Sequence, residues 1–305
     1  MQGIFEQAIV YPDTDYMERF HDLVGLDDYK ERLRRILILL INPDALNKWK
    51  SKYHPGAKTA INSVLKRPPL IVFIGDVGSG KSELAITIGD YVAREEKIDI
   101  TLLPLSLSSR GEGRVGQMTQ LISGAFEETY QKASQLKSNG SKSRGAIILL
   151  VDEADALAQS RESSQMHHED KAGVNAFIRG VDRLGNGKVP AAVIMCTNRS
   201  NSLDPAIKRR AAEILKFERP NDIQRRKVIE TPLKELGFQE DQINQVVKIT
   251  GVNDKRKYGF TFSDLIQRLI PCVVLQAFPN SKVDPDKAID FIKDLTPTKP
   301  FKEEV

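Results

Sequence analysis

The sequence predicts an α/β fold: a five-stranded parallel sheet between helices (an αβα arrangement), followed by a small all-helical domain. Three observations lead to this prediction. Short apolar runs alternate with helical patterns, a glycine-rich loop joins the first run to a helix, and strand patterns stop at Pro220. Runs that are apolar throughout are typical of strands buried on both faces of a parallel sheet.

Five apolar runs supply the predicted strands, and the first four contain no charged residue. They cover residues 70–74, 100–105, 146–151, 191–197 and 214–217. Between the second and third runs, apolar residues recur at three- and four-residue steps from Val115 to Phe126. That period predicts an amphipathic helix with one stripe packed on the sheet. The alternation of strands with helices indicates an α/β architecture.

After Pro220 the strand patterns give way to helical ones at residues 222–236, 241–249 and 262–275. Pro271 lies inside the last of these and predicts a kink. Near the end of the chain, prolines and charged residues are typical of a loose segment. We therefore predict a leader over residues 1–20, a large αβα domain over 21–219, a helical lid over 220–292 and a flexible tail over 293–305.

The composition limits the classes of partner. The net charge is only +4, and basic residues alternate with acidic ones, which argues against a dedicated nucleic-acid surface. No apolar run approaches the roughly 20 residues that a membrane span needs. The N-terminus also lacks a secretory signal pattern. We expect a cytoplasmic protein that binds neither membranes nor nucleic acid.

A glycine-rich loop follows the first predicted strand and precedes a predicted helix. It matches the pattern G-x-x-x-x-G-K-[ST], in which backbone N–H groups and a helix N-terminus converge on phosphates. In that pattern the Lys81 ammonium reaches the β- and γ-phosphates and the Ser82 hydroxyl binds Mg²⁺. The alternative, a glycine turn with an incidental lysine, is disfavoured by the flanking strand and helix. The predicted site for ATP and Mg²⁺ comprises Gly75, Asp76, Val77, Gly78, Ser79, Gly80, Lys81 and Ser82.

Two carboxylates and an amide follow neighbouring predicted strands. Asp152 and Glu153 end the third run, and Asn198 ends the fourth. Because carboxyl ends of parallel strands share one edge of a sheet, we expect these groups beside the phosphate loop. Asp152 is assigned to the Mg²⁺ shell and Glu153 to polarising the attacking water, with Asn198 bonding the same water. The alternatives are a solvated acidic turn and a turn-capping asparagine.

In their order along the chain, these motifs resemble those of AAA+ ATPases. Residues 20–27 look like the segment that opens the AAA+ module and lines the adenine pocket, which the resemblance assigns to Val24 and Gly25. Residues 258–265, including Gly259, resemble the lid motif. The resemblance extends over residues 20–280 and implies an ATP hydrolase in which Asn198 is the first sensor.

The segment 203–210 resembles the part of AAA+ ATPases that carries arginine fingers. In the family such arginines stabilise transition-state charge in the phosphate site of a neighbouring subunit. The resemblance therefore implies that Arg209 and Arg210 are fingers and that the chain acts as a ring, usually a homohexamer. A solvated basic turn is the alternative.

Within the family, the chain most resembles the HORMA-domain remodellers, ATPases of the spindle checkpoint and meiosis with bacterial relatives in anti-phage operons. The resemblance lies in residues 151–158, a polar loop at 159–171 and residues 175–184. It implies a HORMA-domain client and a role in antiviral defence. Two features depart from the pattern: residues 108–113 lack the pore-loop aromatic, and Asp264 stands near the position of the lid arginine, with Arg268 one turn on.

Two other functions are alternatives to an ATP-driven protein remodeller. A nucleic-acid-associated AAA+ ATPase, such as a helicase loader or transposition regulator, is disfavoured by the charge and by the lack of a recognisable DNA-binding module. A nucleotide switch that does not hydrolyse ATP is disfavoured by Glu153 and the arginine pair.

Overall fold

A computed structural model describes residues 4–107, 116–138, 142–158, 168–199, 203–253 and 256–301. The chain forms two compact units. We call the first, residues 1–22, 28–74 and 82–216, the sheet unit, and the second, residues 23–27, 75–81 and 217–305, the lid unit. The expected pore-loop segment at 108–113 and most of the polar loop at 159–171 lie outside the described residues.

The described residues form a six-stranded sheet whose strands are β1 Ile9–Tyr11, β2 Leu70–Gly75, β3 Asp99–Ser106, β4 Gly145–Asp152, β5 Ala191–Thr197 and β6 Ala211–Phe217. Their order in the sheet is β1-β3-β4-β5-β2-β6, one strand more than predicted. Neighbouring pairs β3–β4, β4–β5 and β5–β2 are parallel, and β1 pairs antiparallel with β3. The α/β prediction is therefore confirmed, and the extra strand β1 lies at one edge.

Nine helices are described along the first part of the chain, up to β6. The strand and helix patterns of the sequence do not predict the four described helices that precede β2. The nine described helices are α1 Thr14–Asp22, α2 Asp27–Ile41, α3 Pro43–Tyr53, α4 Lys58–Leu65, α5 Lys81–Glu96, α6 Gln117–Leu136, α7 Asp155–Ala158, α8 His168–Gly187 and α9 Pro205–Arg210. The helix predicted from residue 115 onward corresponds to α6.

The sheet is buried on both faces because its central strands are apolar throughout. Alternate residues of β4, such as Leu149, pack in a core cluster with α6 and α8, while Ile148 on the other face is buried as well. In that cluster Phe126 meets Phe177 edge to face, with ring centroids 5.4 Å apart. Truncating a buried phenylalanine such as Phe177 to alanine costs about 3–5 kcal/mol. This packing fixes the strand ends that carry the candidate site.

The described part of the lid unit contains five helical segments. Asn221 and Gln224 form a reciprocal capping box at the start of its first helix. Pro271 lies in the first turn of a helix that directly follows a π-helical turn, a position where its missing N–H is tolerated. The segments are α10 Asp222–Glu235, α11 Glu240–Ile249, the π-helical turn Asp264–Leu269, α12 Ile270–Ala277 and α13 Pro285–Asp294.

Residues 295–301 follow α13 and fall within the tail predicted to be flexible. Hydrogen bonds from Thr298 to Asp264 and from Phe301 to Asp76 hold this segment against the rest of the lid unit. Among the described helices, none combines the length and apolar character that a membrane crossing requires.

Candidate nucleotide site

The phosphate loop, residues 75–80, leads from β2 into α5. Lys81 is only 7% exposed, and its ammonium donates hydrogen bonds to the carbonyl oxygens of Gly75 (2.9 Å) and Asp76 (2.8 Å). The Ser79 hydroxyl donates to the same Asp76 carbonyl at 2.7 Å. Ser82, the next residue of α5, is half-buried. The loop thus encloses the lysine ammonium within its own backbone.

Two glycines of this loop allow backbone approaches that a side chain would block. Gly75 has φ +152°, and a Cβ there would lie 2.1 Å from the carbonyl oxygen of Phe217. Gly78 has φ +71°, and its Cβ would lie 2.8 Å from the Thr261 hydroxyl oxygen. The Ser263 N–H donates to the Gly78 carbonyl at 3.1 Å. Within the lid unit, the loop therefore packs directly on residues 261–263 of the predicted lid motif.

The Asp76 carboxylate is bound on both oxygens. Arg219 donates to Oδ2 from Nε at 2.8 Å and from Nη2 at 2.6 Å, while the Val77 N–H (2.9 Å) and the Phe301 N–H (3.1 Å) donate to Oδ1. The Val77 side chain itself is exposed. A guanidinium therefore balances the one acidic side chain of the phosphate loop.

The segment predicted to line the adenine pocket also belongs to the lid unit. The carbonyl of Gly25 accepts a hydrogen bond from the Gln224 side-chain amide at 2.7 Å, and Val24 beside it is half-buried. The carbonyl of Gly259 accepts from Arg219 at 2.6 Å. The sequence pattern accounts for Gln224 by the capping box of α10 and does not indicate its contact with Gly25.

Asp152 and Glu153 lie at the carboxyl edge of the sheet. Asp152 ends β4 opposite Ser106 of β3, and the Ser106 hydroxyl donates to the Glu153 carboxylate at 3.4 Å. Glu153 has φ +52°, a left-handed conformation that costs a non-glycine residue about 1–3 kcal/mol. Such strain is concentrated at functional positions. Both carboxylates are at least partly accessible to solvent.

Asn198 follows β5 at the same edge and is oriented by Asp155, the first residue of α7. The Asn198 side-chain amide donates to Asp155 at 3.1 Å, and the Asn198 backbone N–H and the Thr197 hydroxyl both donate to Asp155 Oδ1 at 2.7 Å. Thr197 pairs in register with Ile74, the last residue before the phosphate loop. Sequence reasoning did not assign a role to Asp155, although it is the third carboxylate of the segment 152–155.

The two candidate arginine fingers differ in their surroundings. Arg210 donates two hydrogen bonds to Asp182 of α8, at 2.7 and 2.9 Å, and a third to the Ala206 carbonyl at 3.2 Å. Its pKa is raised, chiefly by the hydrogen bond to Asp182. Arg209 is exposed and makes no hydrogen bond or ion pair with the described residues. Arg210 thus stabilises the contact between α8 and α9, and Arg209 extends toward solvent.

Comparison with known proteins identifies the class. The family model "ATPase family associated with various cellular activities (AAA)" matches residues 71–219, a span that includes the phosphate loop, both carboxylates and the arginine pair. This chain belongs to the AAA ATPase family. The resemblance to AAA+ ATPases predicted from the motifs is thereby confirmed, and family membership implies nucleotide binding.

One related protein and two solved structures are similar to this chain over nearly its whole length. The chain is 57% identical over 301 residues to CD-NTase-associated protein 6 of Escherichia coli (strain MS 115-1), covering 99% of this chain and 97% of the relative. A chain in the structure of the E. coli MS115-1 HORMA:CdnC:Trip13 complex matches with a TM-score of 0.91 at 56% identity, covering 98% and 97% of the two chains. The structure of Rhizobiales Trip13 matches with a TM-score of 0.76 at 54% identity, covering 97% and 100%.

Proposed function

We propose that this chain is a ring-forming ATPase that uses ATP and Mg²⁺ to remodel a HORMA-domain protein in antiviral defence. The observation that carries the proposal is the similarity, at 56% identity over nearly the whole chain, to a protein solved in a complex named for its HORMA and CdnC components. The phosphate loop and the carboxylates at the sheet edge supply the chemistry of an ATP motor.

The loop fits a nucleotide phosphate on the basis of its own geometry. Its glycines allow the backbone to follow a path closed to other residues, and the buried Lys81 ammonium donates to the carbonyl oxygens of Gly75 and Asp76, which phosphate oxygens can replace as acceptors. Bound ATP with Mg²⁺ supplies the phosphoryl group and the cation that neutralises its charge. Ser82 and Asp152 would bind that cation, and residues 75–81 would bind the phosphates. Val24, Gly25 and Gly259 would contact the base and the lid side of the nucleotide.

Hydrolysis requires a group that orients and polarises water. Glu153 is suited to this role because its carboxylate is accessible and its backbone is fixed in a strained conformation. Asn198 is held in one orientation by Asp155, which leaves little freedom for its amide. We assign Glu153 to the water and Asn198 to the sensing of the γ-phosphate, with Asp155 as the residue that positions Asn198.

Arg209 is the better candidate for the finger. A finger has to leave its own subunit and reach a neighbouring phosphate, and Arg210 is retained within its subunit by Asp182. We therefore assign Arg209 to transition-state charge in a homohexameric ring and give Arg210 a structural role beside it.

The test is to trap the client with Glu153→Gln. This change keeps the size of the side chain and removes the charge that polarises water, so ATP and Mg²⁺ should bind while turnover nearly stops. A ring arrested with ATP should retain its client during purification from the native host. Mass spectrometry of the eluate is expected to identify a HORMA-domain protein.

The matched control is Lys81→Ala, which should lose both ATP and the client because the main point charge on the phosphates is gone. Recovery of nucleic acid without a protein client from Glu153→Gln would contradict the remodeller proposal and favour a nucleic-acid-associated ATPase. Recovery of a client that lacks a HORMA domain would retain the motor and refute the proposed client class.

A further inference from the structure

Arg219, which follows β6, makes hydrogen bonds to three separate segments of the lid unit. Besides its two bonds to the Asp76 carboxylate, it donates to the carbonyl of Gly259 at 2.6 Å and to the carbonyl of Thr298 at 2.8 Å. The Tyr258 ring lies 5.0 Å from the guanidinium carbon, and only 14% of the side chain is exposed. One guanidinium therefore joins the phosphate loop, the lid motif and the segment that follows α13.

We call residues 295–301 the C-terminal strap. Phe301 donates its backbone N–H to Asp76 Oδ1, so the far end of the strap bonds the phosphate loop itself. Thr298 donates to Asp264 from its backbone N–H at 3.0 Å and from its hydroxyl at 2.7 Å. Both anchors are carboxylates, and hydrogen bonds to charged groups are the stronger kind.

Asp264 connects the strap to the loop by a second route. It is 1% exposed and accepts a hydrogen bond from the backbone N–H of Thr261. The Thr261 hydroxyl in turn lies against Gly78 of the phosphate loop, where it is the atom nearest to the position that a Cβ would occupy. Burial alone would raise the pKa of Asp264, but the hydrogen bonds from Thr261, Thr298 and Arg268 outweigh it, and the pKa is lowered. The carboxylate is thus ionised and fixed at neutral pH.

Charge explains why such a network belongs next to a phosphate loop. An unpaired Asp76 carboxylate would repel the phosphates and compete for the Lys81 ammonium. Arg219 pairs with it through two donors, which fixes its direction as well as balancing its charge. The carbonyl oxygens of Asp76 and Gly75 that bind Lys81 belong to the same short segment. Its conformation therefore depends on how Asp76 is anchored.

We propose that Arg219 and the C-terminal strap are positioning elements of the phosphate loop, and that the affinity for ATP depends on them. The proposal rests on ATP binding by this loop. It assigns to residues far apart in the sequence, 76, 219, 264 and 298, the joint task of presenting the loop backbone to the nucleotide.

Three variants of the full protein test the proposal: Arg219→Ala, the milder Thr298→Val, and a chain ending at Asp294. Each removes part of the network outside the residues assigned to touch ATP. The Kd for a fluorescent ATP analogue should rise about tenfold for Arg219→Ala and for the shortened chain, the factor expected when a charged hydrogen bond is lost. Turnover at saturating ATP should change less than twofold, so that KM and not kcat carries the effect.

Arg226→Ala is the matched control, because Arg226 is an arginine of the same unit that bonds Asn244 and Glu240 on α11. Its Kd should equal that of the parent. Arg219→Lys keeps the charge and loses the paired donors, and it should restore only part of the affinity. A cycle with Asp76→Asn should give non-additive effects, since Asp76 and Arg219 act as a pair.

A second readout separates this proposal from the assignment of the ATP site. Hydrogen exchange of the amides in residues 75–80, measured without nucleotide, should accelerate at least severalfold in Arg219→Ala and in the chain ending at Asp294. Unchanged exchange would overturn the proposal, as would parental ATP affinity in both variants. If the parent itself binds no ATP while exchange still accelerates, the proposed ATP site fails and the positioning of the loop stands.

Discussion

Substituting Arg209 and Arg210 separately should separate a catalytic effect from a structural one. In Arg209→Ala an exposed side chain without a partner among the described residues is removed, so the free energy of unfolding should stay within experimental error. ATP turnover should fall by about 10³-fold or more, because a finger mainly stabilises the transition state. Binding of ATP should persist.

For Arg210→Ala the magnitude follows from its ion pair with Asp182. The two hydrogen bonds are short, but the side chains are 30% and 40% exposed, so solvent screens the pair. We expect a loss of about 0.5–1 kcal/mol, near the upper end for exposed pairs because the geometry is bidentate. For a domain of this size that corresponds to roughly 1–4 °C in Tm. Asp182→Ala should reproduce the loss.

The assay combines thermal unfolding with steady-state ATP turnover. A mixing experiment then tests whether Arg209 acts on the phosphate site of a neighbouring subunit. Rings that contain both Arg209→Ala and Glu153→Gln subunits should recover part of the turnover, because some interfaces pair an intact Glu153 with an intact Arg209 of the neighbour. Arg209 is not the finger if Arg210→Ala abolishes turnover at parental Tm while Arg209→Ala remains active. Absence of recovery in mixed rings would contradict the action of Arg209 across an interface.

Three further outcomes are expected. Lys81→Ala should abolish ATP binding in equilibrium titrations, and retained affinity would refute the phosphate-site assignment. Asp155→Ala should lower turnover at least tenfold with ATP affinity kept, since Asn198 loses its orienting acceptor; equal turnover would exclude that role. The pKa of Asp264 is lowered in the folded protein, so its contribution to stability should be fully present above the ordinary pKa of 3.8 and be lost as pH falls through the folded pKa. Asp264→Asn should eliminate this pH dependence, as measured by urea unfolding.

The parts of the site that could be predicted from the sequence are contiguous. The phosphate loop can be recognised because residues Gly75 to Ser82 must follow one spacing for the backbone to approach phosphates. Asp152 and Glu153 could be found because an apolar strand ends in them, and the parallel sheet could be inferred from runs without charge. Their roles remain predictions that the variants above would test.

The parts that could not be predicted join residues that are distant in sequence. Asp76 and Arg219 are 143 positions apart, and Asp155 and Asn198 are 43 apart, so no local period connects them. β1 is three residues long, too short for a periodic pattern. The hydrogen bonds at Thr298 could not be predicted because the segment is rich in proline and lysine, a composition typical of loose segments. In the structure the carboxylates of Asp264 and Asp76 accept hydrogen bonds from this segment.

The pairing of β1 with β3 bears on how the protein avoids aggregation. β1 occupies the edge of the sheet, and Tyr11 anchors it: the residue is fully buried, its hydroxyl donates to the Ile86 carbonyl, and its ring leaves no space for a side chain at Gly89. Without β1, the apolar strand β3 would present unpaired N–H and C=O groups to other chains. A chain shortened to begin at Leu23 would therefore associate through β3 into intermolecular sheets, although every residue of the nucleotide site is still present.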